Sequence, residues 1–176
     1  MSVRHALKEQ YHAGLAMLAE CVEKCPDDLW TMGPQRRTFW RIAFHAAFYA
    51  HLYLGQDEAS YEKWEGRREG CEELWNQPWS VEPFELPTDV EPWWRAETLA
   101  YIAFIDSLVD RTVDSLDLDR PDTGFPWYKN MTKLSHELMS VRHIQGHVGQ
   151  LSELLMARGI DTDWIGKSGP MARGQG

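Results

Sequence analysis

Apolar residues recur every three or four positions along four long stretches of this chain, and that repeat constrains its fold more than any other feature. The first stretch runs from Val3 to about Cys25, with Leu7, Tyr11, Leu15, Leu18 and Val22 on one face; Pro26 stops it. The second runs from about Arg37 to Leu54 (TFWRIAFHAAFYAHLYL), and Gly55 is a natural C-terminal cap. The third opens after Pro92 and turns Leu99, Ile102, Ile105, Leu108, Val109 and Thr112 toward a core. The fourth begins near Thr132 and continues to Arg158, where Gly159 ends it. No strand-like alternation competes with these segments. The expected fold class is therefore all-α, and a four-helix bundle is the economical architecture.

The connections are uneven. Gln56 to Glu91 is long, and its second half, QPWSVEPFELPTDVEP, is rich in proline. Its first half, SYEKWEGRREGCEELW, is expected to hold a short extra helix. A connection of this length can return the chain along the bundle as a crossover, so that the second and third long helices run parallel. A second irregular stretch, Leu116 to Asn130, carries Phe125, Pro126, Trp127 and Tyr128, which are expected to fold onto the bundle. The reading is a single domain over residues 1–165, with 166–176 (GKSGPMARGQG) as a disordered tail.

At 176 residues, 43% of them hydrophobic, the chain has the size and composition of one domain with a real core. Nine Trp are a heavy load, so some are expected to line a pocket or a subunit contact. A net charge of −9 repels phosphate backbones and anionic lipid, which argues against nucleic acid and membrane partners. The start MSVRHALKEQ has no signal-peptide core, and no apolar run reaches the ~18 residues of a membrane span. Three Cys (Cys21, Cys25 and Cys71) form no disulfide framework, in keeping with a cytoplasmic protein.

The fourth segment contains SVRHIQGHVGQLSELL, with His143 and His147 four positions apart. In a helix their side chains stand about 40° apart around the axis and ~6 Å apart along it, so both imidazoles can point at one ion. The pair taken alone fits a metal site or two histidines satisfied by other core groups. A third ligand must come from another helix, and His45 is the best candidate because an unpaired imidazole within RIAFHAAFY would be costly. His51 lies about 120° around the same helix from His45, which points it to the surface or an interface. His136 falls near the face of His143 but about 10 Å away, too far for one ion though within reach of a pocket wall. His5 and His12 are expected to be solvent-exposed. Two other metal architectures fail: only Glu9 and His12 form a Glu-x-x-His pair, and Ile144 stands where a zinc protease helix needs Glu.

Three pieces in this order and separation, RIAFHAAFYAHLYL, FPWYKNMTKLSHEL and RHIQGHVGQL, resemble the DinB/YfiT-like superfamily over about Val3 to Arg158. The resemblance implies a four-helix bundle holding a divalent metal, usually zinc or nickel, on three His near one end. By position these are His45, His143 and His147. It also implies homodimers, and some relatives are transferases that join a low-molecular-weight thiol to an electrophilic small molecule. Arg41, Tyr49, Gln150 and His136 are candidates for the pocket or for orienting the ligands; the amide oxygen of Gln150 could hold an imidazole.

Three neutral imidazoles leave an ion its full charge and an open position, which suits activation of a thiol or of water. A thiol-dependent transfer needs the least acid–base help and is the leading expectation. Metal-assisted hydrolysis needs a base, and no carboxylate lies on the His face of the fourth segment. A non-catalytic metal-binding or stress-response dimer is the rival from another class.

Overall fold

A computed structural model describes residues 2–33, 37–66, 70–74 and 90–171 of the chain. Among the described residues the secondary structure is all-helical: α1 (Val3–Lys24), α2 (Asp27–Trp30), α3 (Phe39–Leu54), α4 (Arg95–Ser115) and α5 (Lys133–Met156), with a 3-10 turn at Glu58–Ser60. Local chemistry sets the ends. The Ser2 hydroxyl accepts the His5 N–H at the start of α1, and the Thr132 hydroxyl accepts the Ser135 N–H at the start of α5. Past the end of α5, Gly159 takes φ 73°, a left-handed conformation that glycine adopts without a steric penalty.

The long helices pack in a ring of contacts. α1 lies against α4 and α5, α3 lies against the same two, and α1 and α3 barely meet. Gly14 lets α1 approach α5 closely, since a Cβ there would stand 3.2 Å from Ile144 Cγ2. The core between α3 and α4 is aromatic. Phe44 packs on Trp93 with ring centroids 4.4 Å apart, and Trp64 stacks on Tyr101 at 4.8 Å. The Trp30 indole N–H donates to the Trp93 carbonyl at 2.8 Å, which fastens α2 to the approach to α4.

Two expectations meet corrections. Within the described part of residues 60–75 there is no α-helix, only the 3-10 turn that ends at Ser60. Gly70 takes φ 80°, and at Gly66 a Cβ would stand 2.7 Å from the Trp64 ring, so the backbone bends where a helix would have continued. The segment is instead held by buried Cys71 and Leu74. Residues 166–171, expected as part of a disordered tail, bond to α1 and α4. The Gln10 amide donates to the Gly166 carbonyl, Ser168 N–H donates to the Glu9 carbonyl, and Met171 N–H donates to Asp106 at 2.7 Å. The proline-rich stretch 75–89 and residues 172–176 lie outside the described residues.

A polar network crosses the interior at one end of α5. Lys133 and Glu137, both 0% exposed, form an ion pair at 2.9 Å one turn apart. Lys133 Nζ also donates to the Gly55 carbonyl at the end of α3, and the Tyr11 hydroxyl donates to Glu137 at 2.6 Å. This network joins α1, α3 and α5. Burial of charge at this depth is tolerated because each ion has a partner.

Candidate metal centre

His45 comes from the middle of α3, and His143 and His147 come from successive turns of α5. α3 and α5 pack along their lengths, and their contact brings the three imidazoles together. His45 Nε2 is 3.2 Å from His143 Nε2, which is 3.1 Å from His147 Nε2. One ligand nitrogen from each ring lies within 4.8 Å of the others, so the cluster could hold a metal ion. Two imidazole nitrogens ~2.05 Å from one ion at a near-tetrahedral angle stand about 3.3 Å apart. The two spacings from His143 Nε2 fit that requirement.

The hydrogen bonds around the cluster fix which nitrogens are free to bind. His45 Nδ1 lies 2.5 Å from the Glu72 carbonyl oxygen. A carbonyl only accepts, so Nδ1 carries the proton and Nε2 keeps its lone pair. His147 Nδ1 lies 3.0 Å from Gln150 Oε1, and an Arg37 guanidinium N–H donates to the same oxygen at 3.3 Å. Arginine only donates, so the Gln150 amide cannot be turned round, and His147 Nδ1 must also be the protonated nitrogen. Two lone pairs thus face His143 Nε2. His143 Nδ1 is buried and has no hydrogen-bond partner among the described residues.

Electrostatics keep the cluster neutral. Burial first, then the neighbouring His147 and Arg37, push His45 down to about 3. Burial and His147 push His143 down to about 4. Burial also lowers His147, with the Gln150 bond opposing it and Arg37 adding to it. At neutral pH all three are therefore neutral imidazoles, the form a metal requires.

The other candidates separate. The Gln150 amide oxygen accepts from His147 Nδ1 at 3.0 Å. Tyr49 stands beside the cluster, its ring centroid 4.7 Å from that of His45 and 5.7 Å from that of His143. Its hydroxyl donates to Glu73 at 2.5 Å, and burial, reinforced by that carboxylate, raises its pKa, so the phenol keeps its proton. Buried Arg41 donates to the carbonyls of Gly70 and Glu73 and so fixes the segment that carries Glu72 to His45. His136 is fully buried two turns below His143, among the rings of Tyr53, Phe125 and Tyr128.

Two histidine assignments need correction. His51 is buried, not exposed, with Nδ1 2.9 Å from the Tyr101 hydroxyl, because α4 covers that flank of α3. His12 is also buried, 2.6 Å from Asp106 on α4, whereas His5 is exposed as expected. Arg37, Glu72 and Glu73 have no site role in the sequence reading. Glu73 supplies a carboxylate near the cluster that the His face of α5 lacks. No positional pattern relates the segment 70–74 to α3, so this arrangement had no sequence signal.

Comparison with protein-family profiles, curated protein sequences and solved structures finds no match.

Proposed function

We propose that this protein binds one divalent metal ion through His45, His143 and His147 and uses it to transfer a low-molecular-weight thiol to an electrophilic small molecule. The observation that carries the reading is the convergence of three Nε2 atoms, with two tautomers set by hydrogen bonds to Glu72 and Gln150. Among the described residues no fourth His, Cys, Asp or Glu joins the cluster. Bound by neutral donors, a zinc or nickel ion keeps its full charge and favours the ionised form of a nearby thiol.

In the reaction, the thiol gives up its proton to bulk water and its sulfur bonds to the electrophilic carbon. The bond to the leaving group breaks, and the leaving group departs with the electron pair. The Glu72 carbonyl and the Gln150 amide hold two imidazoles in register, and Arg37 holds Gln150 in turn. Tyr49 covers one side of His45 and His143 and keeps its phenol proton on Glu73. That pair gives the site a proton-holding group without a carboxylate on α5.

The order of the histidine-bearing motifs supports kinship with the DinB/YfiT-like superfamily. The contacts of α3 with α4 support a four-helix bundle with a crossover, because they advance together: Phe44 meets Tyr101, and His51 meets Phe104 further along both helices. Trp94 and Trp164, 75% and 76% exposed, support association of two copies.

The test is thiol consumption by zinc- and nickel-loaded protein with cysteine, glutathione and coenzyme A, each offered chlorodinitrobenzene. The proposal expects turnover with at least one thiol and its loss in His143→Ala. Folded, metal-loaded protein that consumes none of them would favour a non-catalytic metal centre.

A further inference from the structure

A cavity of about 280 Å³ opens between the C-terminal half of α3 and the C-terminal half of α4, and it shares no residue with the histidine cluster. We propose that it is a second small-molecule site, built for a zwitterion the size of a single amino acid. Its floor is rigid. His51 lines it and is anchored through Nδ1 to the Tyr101 hydroxyl at 2.9 Å, while its ring packs against Tyr101 and Phe104. Leu54 and Leu108 add apolar wall.

The charges select the ligand. Arg111 on α4 and Glu62, beyond the 3-10 turn, both line the cavity. Both side chains are solvent-exposed, and among the described residues neither makes a hydrogen bond or an ion pair, with each other or with a third group. A simple carboxylate would answer Arg111 but meet repulsion from Glu62, and a simple amine would meet the reverse. An α-amino acid answers both: its carboxylate takes the planar donor fork of the guanidinium, and its ammonium faces the Glu62 carboxylate. The side chain is left to cover Leu54 and Leu108. At about 280 Å³ the cavity lies just below the 300–1,000 Å³ of pockets for drug-sized ligands, which suits a small metabolite.

The experiment is isothermal titration calorimetry of the full-length, metal-loaded protein with each standard amino acid, followed by the deaminated acid and the decarboxylated amine of the best binder. At least one amino acid is expected to bind, and each one-charge analogue at least tenfold more weakly. Arg111→Ala and Glu62→Ala are each expected to weaken binding by about 10- to 100-fold, the scale of one charge-assisted hydrogen bond. Ser115→Trp, which places an indole in the cavity from α4, is expected to abolish binding with the helical spectrum retained. Metal content should be unchanged in all three variants, and His143→Ala should bind the amino acid as wild type does. No heat with any amino acid, or an Arg111→Ala variant that binds as tightly as wild type, overturns the proposal.

Discussion

Replacing Lys133 with Met removes a buried charge while keeping most of the stem that packs in the interior. Glu137, 0% exposed and 2.9 Å from Lys133 Nζ, would be left with the Tyr11 hydroxyl as its hydrogen-bond donor. Stranding one member of a buried ion pair costs about 3–5 kcal/mol. Losing the donor to the Gly55 carbonyl adds to that cost. For a chain of this length each kcal/mol lowers Tm by about 2–4 °C, so at ~4 kcal/mol Lys133→Met should fall by about 8–16 °C. Adding Glu137→Leu removes the stranded charge. The double variant should then recover about half of the loss, retaining roughly 2 kcal/mol for the Gly55 carbonyl and the Tyr11 hydroxyl. Urea unfolding of wild type, both single variants and the double variant gives the coupling directly. A Lys133→Met cost below about 1 kcal/mol, or a double variant as unstable as the sum of the singles, would refute the reasoning.

Other outcomes follow from the same physics. For His12, burial lowers the pKa, but the hydrogen bond and charge of Asp106, with Asp110 adding to them, outweigh it and raise it overall. A raised folded-state pKa contributes stability that is fully present below the unfolded value and lost as pH rises through the folded one. The Tm gap between wild type and His12→Gln should therefore be wider at about pH 5.5 than at about pH 9. Gly14→Leu drives a side chain into Ile144 and should cost about 1–3 kcal/mol by chemical denaturation, with Ile144→Ala restoring part of it. Gln150→Ala frees the His147 ring and should weaken metal affinity by about 10- to 100-fold in competition with a chromophoric chelator, without lowering Tm in the absence of metal.

The helices were legible because each long segment carries its own apolar repeat and its own stop signal, as at Pro26, Gly55 and Gly159. His143 and His147 were legible for a similar reason, since one helix fixes their relation. What failed were inferences about a helix flank made without knowing its neighbour. His51 and His12 lie off the stripes expected to be buried, but α4 covers both and supplies a partner to each, Tyr101 and Asp106. The surroundings of His45 were hidden for another reason. Its Nδ1 partner is a main-chain carbonyl 27 residues away, in a segment with no repeat to place it. Arg41 follows the same logic: its acceptors are the carbonyls of Gly70 and Glu73, which carry no side-chain signature.

Elemental analysis of protein purified without a chelator or a metal-affinity tag tests the three-histidine centre most directly. About one divalent ion per chain is expected, falling to background in His143→Ala while the helical spectrum is kept. Folded wild-type protein that takes up no zinc or nickel even when both are supplied, or a His143→Ala variant that retains its ion, would contradict it.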